Sequence, residues 1–235
     1  MITVQPIRYT AHPDEWHRLA EALGFRPAFP PDPRWSEFDG RGILAIHHAG
    51  AEDEHAGRTG LHLLSDDLDA VEVRLAAAGF SVHRTVLDDI GPMLTGSAAS
   101  GAKLTISGGA RAADTGALAV QPIWYQSDLD EPRRFLETIG LRPHVASQSG
   151  TWISFTAEGG GLAALHHAEA VRFELSLEYT GDLDALAERL AAAGHPASVI
   201  DEAYNRTLLV DTPDGDQLWV NGTMDDLYGY TRLDG

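Results

Sequence analysis

The sequence predicts an α+β chain made by duplication, with two similar halves and two β-α-β-β-type units in each. Three observations carry that prediction. Five segments recur in unchanged order at offsets of 115 to 119 residues. Each half holds two amphipathic helical stretches that start in acidic residues and stop at glycine. The remaining apolar runs are short and alternate with polar residues, as half-buried strands do.

The repeat begins at its first strand, where Val4-Gln5-Pro6-Ile7-Arg8-Tyr9 returns as Val120-Gln121-Pro122-Ile123-Trp124-Tyr125. Helices are expected at Asp14–Ala22 and Asp67–Ala78 in the first half, and at Asp128–Thr138 and Asp182–Ala193 in the second. Ser127 and Asp130 read as a capping pair. Gly24, Gly79, Gly140 and Gly194 stand where a left-handed terminal residue is wanted. Strands are expected at Gly42–His48, Leu61–Leu64, Lys103–Ser107, Trp152–Thr156, Arg206–Val210 and Gln217–Asn221. Trp35-Ser36-Glu37-Phe38 recurs as Trp152-Ile153-Ser154-Phe155, and Ala45-Ile46-His47-His48-Ala49 as Ala164-Leu165-His166-His167-Ala168. The domains fall at 1–108 and 118–235, with residues 109–117 of linker composition between them.

Composition bounds the function. A chain of 235 residues with 43% apolar residues holds enough material for real cores. Cysteine is absent, which removes disulfides, thiol catalysis and zinc–thiolate or iron–sulfur sites, and fits a cytoplasmic location. The N-terminus has neither a signal-peptide nor a transit-peptide pattern, and no apolar run is long enough to span a membrane. The net charge of −18 repels phosphate backbones and anionic lipid, so nucleic acid and membrane surfaces are poor partners. One lysine among sixteen arginines reads as codon bias of a GC-rich bacterial genome.

The sequence resembles the vicinal oxygen chelate superfamily of glyoxalase I, extradiol dioxygenases and bleomycin-resistance proteins. The likeness rests on the helix ends LGFRP and IGLRP, on the helices DDLDAVEVRLAAAGF and GDLDALAERLAAAGH, and on the late segment DTPDGDQLWV, which is similar to the family's Asp-Pro-Asp-Gly turn into its last strand. It covers nearly the whole chain as two tandem domains. It implies that each domain pairs two βαβββ units into a bowl of curved mixed sheet with helices outside, and that ligands sit on the concave side.

The family's metal-bearing members place ligands at positions that here are Val4, Ala45, Gly60 and Thr105 in the first repeat, and Val120, Ala164, Leu175 and Trp219 in the second. Zinc, nickel and ferrous ions need three or four imidazole or carboxylate groups, and these residues supply none. A slip of two residues would admit His47, His62 and His166, but no final carboxylate. The expectation is that the metal site is lost and that no cofactor is used.

Alternation along the first strands is read as placing Val4, Pro6 and Arg8, with Val120, Pro122 and Trp124, in the bowls, and Tyr9 and Tyr125 beneath the helices. Gln217 and Trp219 close the opposite wall of the second bowl, which Trp152 joins. Adjacent histidines on a strand point to opposite faces, so neither His-His pair chelates one ion; His47 and His166 are assigned to the bowls. Tryptophan on alternating strands is more often core than ligand wall, and Arg8 more often a rim salt bridge than an anion clamp. Asp201-Glu202 before Tyr204-Asn205-Arg206 reads as a turn. The tail Asp225-Asp226-Leu227-Tyr228-Gly229-Tyr230 is expected to dock and cover a bowl.

The candidate ligand-binding residues are therefore Arg8, His47, Trp124, Trp152, His166, Gln217 and Trp219, with no metal ligands. The expected function is a metal-independent protein holding a small, partly aromatic or cationic molecule in a concave pocket, as a monomer or homodimer. Two alternatives stand beside it. One is a lyase, isomerase or dioxygenase-type enzyme with a rearranged metal site or histidine acid–base catalysis. The other is a scaffold whose bowls are filled by side chains.

Overall fold

The computed structural model describes residues 1–88, 90–112, 116–202, 205–224 and 227–234. Repeat one runs β1 (Ile2–Val4), β2 (Ile7–Thr10), α1 (Pro13–Leu23), β3 (Arg26–Pro27), β4 (Trp35–Gly40), β5 (Gly42–His48), β6 (Thr59–Gly60), β7 (His62–Ser65), α2 (Leu68–Ala77), β8 (Ser81–Leu87), β9 (Gly91–Ser97) and β10 (Lys103–Gly108). Repeat two follows the same plan: β11 (Leu118–Val120), β12 (Ile123–Gln126), α3 (Asp130–Ile139), β13 (Arg142–Ser147), β14 (Trp152–Thr156), β15 (Leu162–His167), β16 (Arg172–Glu174), β17 (Ser176–Tyr179), α4 (Leu183–Ala192), β18 (Ala197–Asp201), β19 (Arg206–Asp211) and β20 (Gln217–Gly222). A last strand, β21 (Tyr230–Arg232), joins the edge of β13.

Each βαβββ unit makes a half-sheet whose first and last strands are parallel. In repeat one these are β3-β4-β5-β2 and β7-β10-β9-β8. Pro6 interrupts the opening strand, because proline offers no ladder N–H. The two pieces then pair antiparallel with different partners, Val4 opposite Leu63 and Ile7 opposite Gly60, which joins the half-sheets into one curved surface. Pro122 sits at the same break in repeat two, where β11 pairs with β17 and β12 with β16. The bowls implied by the resemblance are thus present, one per repeat.

The helices lie off the cavity side and pair across the repeats. Leu19, Leu23, Phe38, Leu44, Phe135 and Ile139 are fully buried in one continuous core. Arg189 of α4 donates to the carbonyls of Ala22 and Leu23 at 3.0 and 2.9 Å, at the end of α1. Arg74 of α2 does the same for Thr138 and Ile139 of α3, at 3.1 and 2.9 Å. Each repeat therefore satisfies helix carbonyls of the other.

The backbones also meet. Arg41 N–H donates to Leu118 O at 2.9 Å, Val120 N–H to Arg41 O at 3.0 Å, and Val4 N–H to Gly160 O at 2.9 Å. Gly42 and Gly161, with φ of +84° and +86°, stand at the seam, where a Cβ on Gly42 would lie 2.9 Å from the Cα of Gly161.

The four helices fall within two residues of their expected bounds, and the glycines after them have φ of +108°, +83°, +122° and +84°. The cap of α3 differs: Asp128 Oδ1 accepts from Asp130 N–H at 3.0 Å, and Ser127 is not paired with Asp130. In the segment taken for a linker, Arg111 is pinned to Glu37 and Asp39, each at 2.8 Å. No helix among the described residues is long and apolar enough to cross a membrane.

Candidate functional site

A cavity of about 1700 Å³ opens on the concave side of repeat two and extends to β6 and β10 of repeat one. Its aromatic walls are Tyr9 from repeat one and Tyr125, Trp152, Phe173, Trp219 and Tyr230 from repeat two. Tyr230 reaches it because β21 pairs with β13, with Ser147 opposite Tyr230; its ring meets Trp152 edge-on at 6.0 Å. The expected docking of the tail is thus seen at Tyr230, whereas Tyr228 is 89% exposed and Asp225 and Asp226 lie outside the described residues. Tyr204, in the expected 201–206 turn, also lies outside them.

Four of the candidate residues, Trp152, His166, Gln217 and Trp219, come together on this cavity, and Trp219 is 42% exposed. His166 presents its ring beside Tyr125, 5.3 Å between centroids, and its Nδ1 bonds to the carbonyl of His167 at 2.9 Å. His47 shares the equivalent face of repeat one. Its ring packs between Tyr9 and Trp35, at 5.3 and 5.8 Å, and it does not line the cavity.

Arg8 and Trp124 correct the expected faces. Trp124 is only 2% exposed, packed against Phe135 and Phe173, while its neighbours Ile123 and Tyr125 line the cavity. Arg8 touches the cavity edge but is 4% exposed and points under the sheet. It donates to Asp216 through both terminal nitrogens, at 3.0 and 2.9 Å, and to Asp214 from Nε at 2.8 Å. Asp214 also accepts from Thr10 at 2.6 Å and from the Trp16 indole at 2.7 Å. Period two sorts a strand into two sets but does not say which set faces the bowl. The large indole and the Asp214 latch decide it, and Tyr9 and Tyr125 take the concave face.

The two bowls have diverged. In repeat one, Trp35, His47, Tyr9 and His55 form a continuous ring cluster, and Arg111 lies on Glu37 and Asp39. Burial and the charge of Asp53 push the Tyr9 hydroxyl upward. His62 is buried, with Nδ1 at 2.7 Å from Thr105 Oγ1 and Nε2 at 3.0 Å from Ser107 Oγ; burial lowers it to about 4. In repeat two the wall carries Glu178, which sequence reasoning missed because its counterpart in repeat one is Leu64. Burial pushes the Glu178 carboxyl up against the opposing charges of Arg41, His144 and Arg232.

Thr105 lies opposite His62 and Trp219 opposite Ser176, so these are the cross-strand neighbours of the expected last-strand positions, beside Gly60 and Leu175. Val4 and Val120 are fully buried in the core. At these positions and their cross-strand neighbours the first repeat offers one imidazole, both of whose nitrogens are engaged by hydroxyls, and the second a hydroxyl and an indole. Neither is a donor set for zinc, nickel or ferrous ion. Among the described residues no group of three His, Asp or Glu side chains is placed to hold a metal.

No family model matches the chain, and no curated protein matches it. Solved structures do. A catechol 2,3-dioxygenase shares 14% identity at a TM-score of 0.64, covering 94% of this chain and 92% of that one. A homoprotocatechuate 2,3-dioxygenase from Arthrobacter globiformis shares 10% at 0.64, covering 99% and 80%. The 2,3-dioxygenase LapB from Pseudomonas sp. KL28 shares 13% at 0.63, covering 96% and 92%. The likeness shows the fold: tandem βαβββ domains of the vicinal oxygen chelate type, arranged as in extradiol dioxygenases.

Proposed function

We propose that the chain is a metal-independent binding protein that holds a small, partly aromatic molecule in the cleft of its second repeat. The observation that carries this reading is the cavity of about 1700 Å³ walled by Tyr125, Trp152, Trp219 and Tyr230. Flat apolar rings with a few polar groups between them suit stacking against an aromatic or heterocyclic ligand. The donor sets at the fold's metal positions support metal independence. The open cleft, lined from both repeats, speaks against a scaffold with filled bowls. Both bowls are completed within one chain, so a monomer suffices.

The test is a thermal-shift screen with aromatic and heterocyclic compounds. A ligand at a hundredfold excess over its Kd adds about 2.7 kcal/mol and raises Tm. No stabilisation by any such compound would end the reading. A second reading, a dioxygenase-type enzyme, is favoured by the fold likeness to catechol-cleaving proteins. Metal analysis of protein purified without chelators, with oxygen uptake on catechol after ferrous loading, separates the two. A stoichiometric transition metal with ring cleavage would replace the binding proposal.

A further inference from the structure

Strand register superimposes the two repeats residue by residue. In repeat two, Ile123 lies opposite Glu174 and Tyr125 opposite Arg172; in repeat one, Ile7 lies opposite Gly60 and Arg8 opposite Thr59. Arg58 is therefore the counterpart of Arg172, and Gly60 of Glu174. Because Thr105 pairs with His62 and Trp219 with Ser176, Lys103 is the counterpart of Gln217. In repeat two the arginine carries its own carboxylate: Arg172 Nε donates to Glu174 at 2.6 Å, and the guanidinium lies 3.9 Å from the centre of the Tyr125 ring. In repeat one the carboxylate is gone, since Gly60 has no side chain, and Lys103 adds a second cation.

Arg58 and Lys103 both line the cleft, and among the described residues neither side chain has an ion-pair or hydrogen-bond partner. Carboxylates are not scarce, with 35 acidic against 17 basic residues. Asp216, on the same cleft, is held by Arg8 at 2.9 Å. Two like charges on the lining of one cleft repel, and the low-dielectric walls of a cleft concentrate their field on whatever enters. The net charge of the chain favours a cation at long range; this edge favours an anion at contact distance.

We propose that Arg58 and Lys103 bind the oxyanion of the molecule held in the cleft, so that the ligand is a flat aromatic compound bearing a carboxylate or phosphate group. The proposal rests on the aromatic-cleft reading above. The guanidinium offers a planar two-pronged donor set to such a group, and the ammonium adds a compact second positive charge to the same cleft.

Four indole probes of one ring system test this by isothermal titration: neutral tryptophol, cationic tryptamine, indole-3-acetate and 3-indoxyl phosphate. At least one of the two anions should bind about tenfold or more tighter than tryptophol, as charge-assisted contacts allow. The tighter anion identifies the oxyanion. The R58A/K103A double variant should bring that anion to the level of tryptophol while leaving tryptophol unchanged, and half-molar salt should act the same way on the native protein. Both side chains are exposed and unpaired, so folding is retained, which circular dichroism checks. Equal binding of anions and tryptophol, preference for tryptamine, or an anion preference that survives the double substitution would overturn the anion site while leaving the aromatic cleft standing. Failure of all four probes to bind would overturn both.

Discussion

At the residue scale the sharpest dependence is on Asp214, whose carboxylate takes hydrogen bonds from Arg8, Thr10 and the Trp16 indole of the other repeat. Arg8 and Asp214 are 4% and 7% exposed, so neither charge has water to fall back on. Asp214→Ala leaves Arg8 its fork to Asp216 but takes the acceptor from Arg8 Nε, Thr10 and the Trp16 indole, and should destabilise by about 1–3 kcal/mol, read from the urea midpoint. Arg8→Lys should recover only part of the native stability, since an ammonium cannot bridge two carboxylates in fork geometry. His62 gives a pH prediction. Its folded value of about 4 lies below the ordinary 6.5, so the unfolded chain binds more protons between those values. Stability is full above about pH 6.5, falls as the pH drops through that window, and flattens below pH 4. The loss is on the order of 3 kcal/mol. His62→Gln should flatten that part of the curve relative to the native protein, which also removes the parallel contribution of His17 from the comparison. An unchanged slope would show that His62 does not govern it. Side-chain faces were only half legible in the sequence: the adjacent histidines had to diverge, but nothing in the pattern Ile7-Arg8-Tyr9 says that the arginine would find Asp214 some two hundred residues away.

At the element scale, α1 and α3 end on glycine and on an arginine lent by the other repeat. Arg74→Ala and Arg189→Ala should each cost about 1 kcal/mol, and the double substitution about twice that, because the two sites share no partner. A double variant no less stable than the native protein would remove these caps from the stability argument. Helices were legible because amphipathic period, acidic starts and terminal glycines all agree locally, and alternation marked β5, β10, β14, β19 and β20 but not the equally long β8, β9 and β13. The short pieces β3, β6 and β16 were not, since two or three residues carry no period; they exist because neighbouring strands offer them a ladder. The opening strands of the second units break at Leu61 and Leu175, and cross-strand pairing with Thr105 and Trp219 sets which residues there share a level in the sheet.

At the scale of the whole molecule, the duplication was the strongest signal in the sequence and the tandem fold followed from it, whereas the unequal fate of the two bowls did not. Arg111 on Glu37 and Asp39 and the Tyr230 strand on β13 are long-range facts with no local signature. Gly42→Ala places a methyl 2.5 Å from Val120 and 2.9 Å from Val4 O, at a φ of +84°, and should cost several kcal/mol in thermal unfolding, more than an ordinary glycine substitution. A second consequence comes from the arginines exchanged between helices. A polypeptide severed between positions 112 and 116 would leave each fragment with a helix whose final carbonyls lack their donor and with an uncovered apolar flank. Such fragments should be poorly soluble apart and reconstitute a one-to-one particle when mixed. Complementation of this kind, scored by size-exclusion chromatography, would make the protein a natural split reporter.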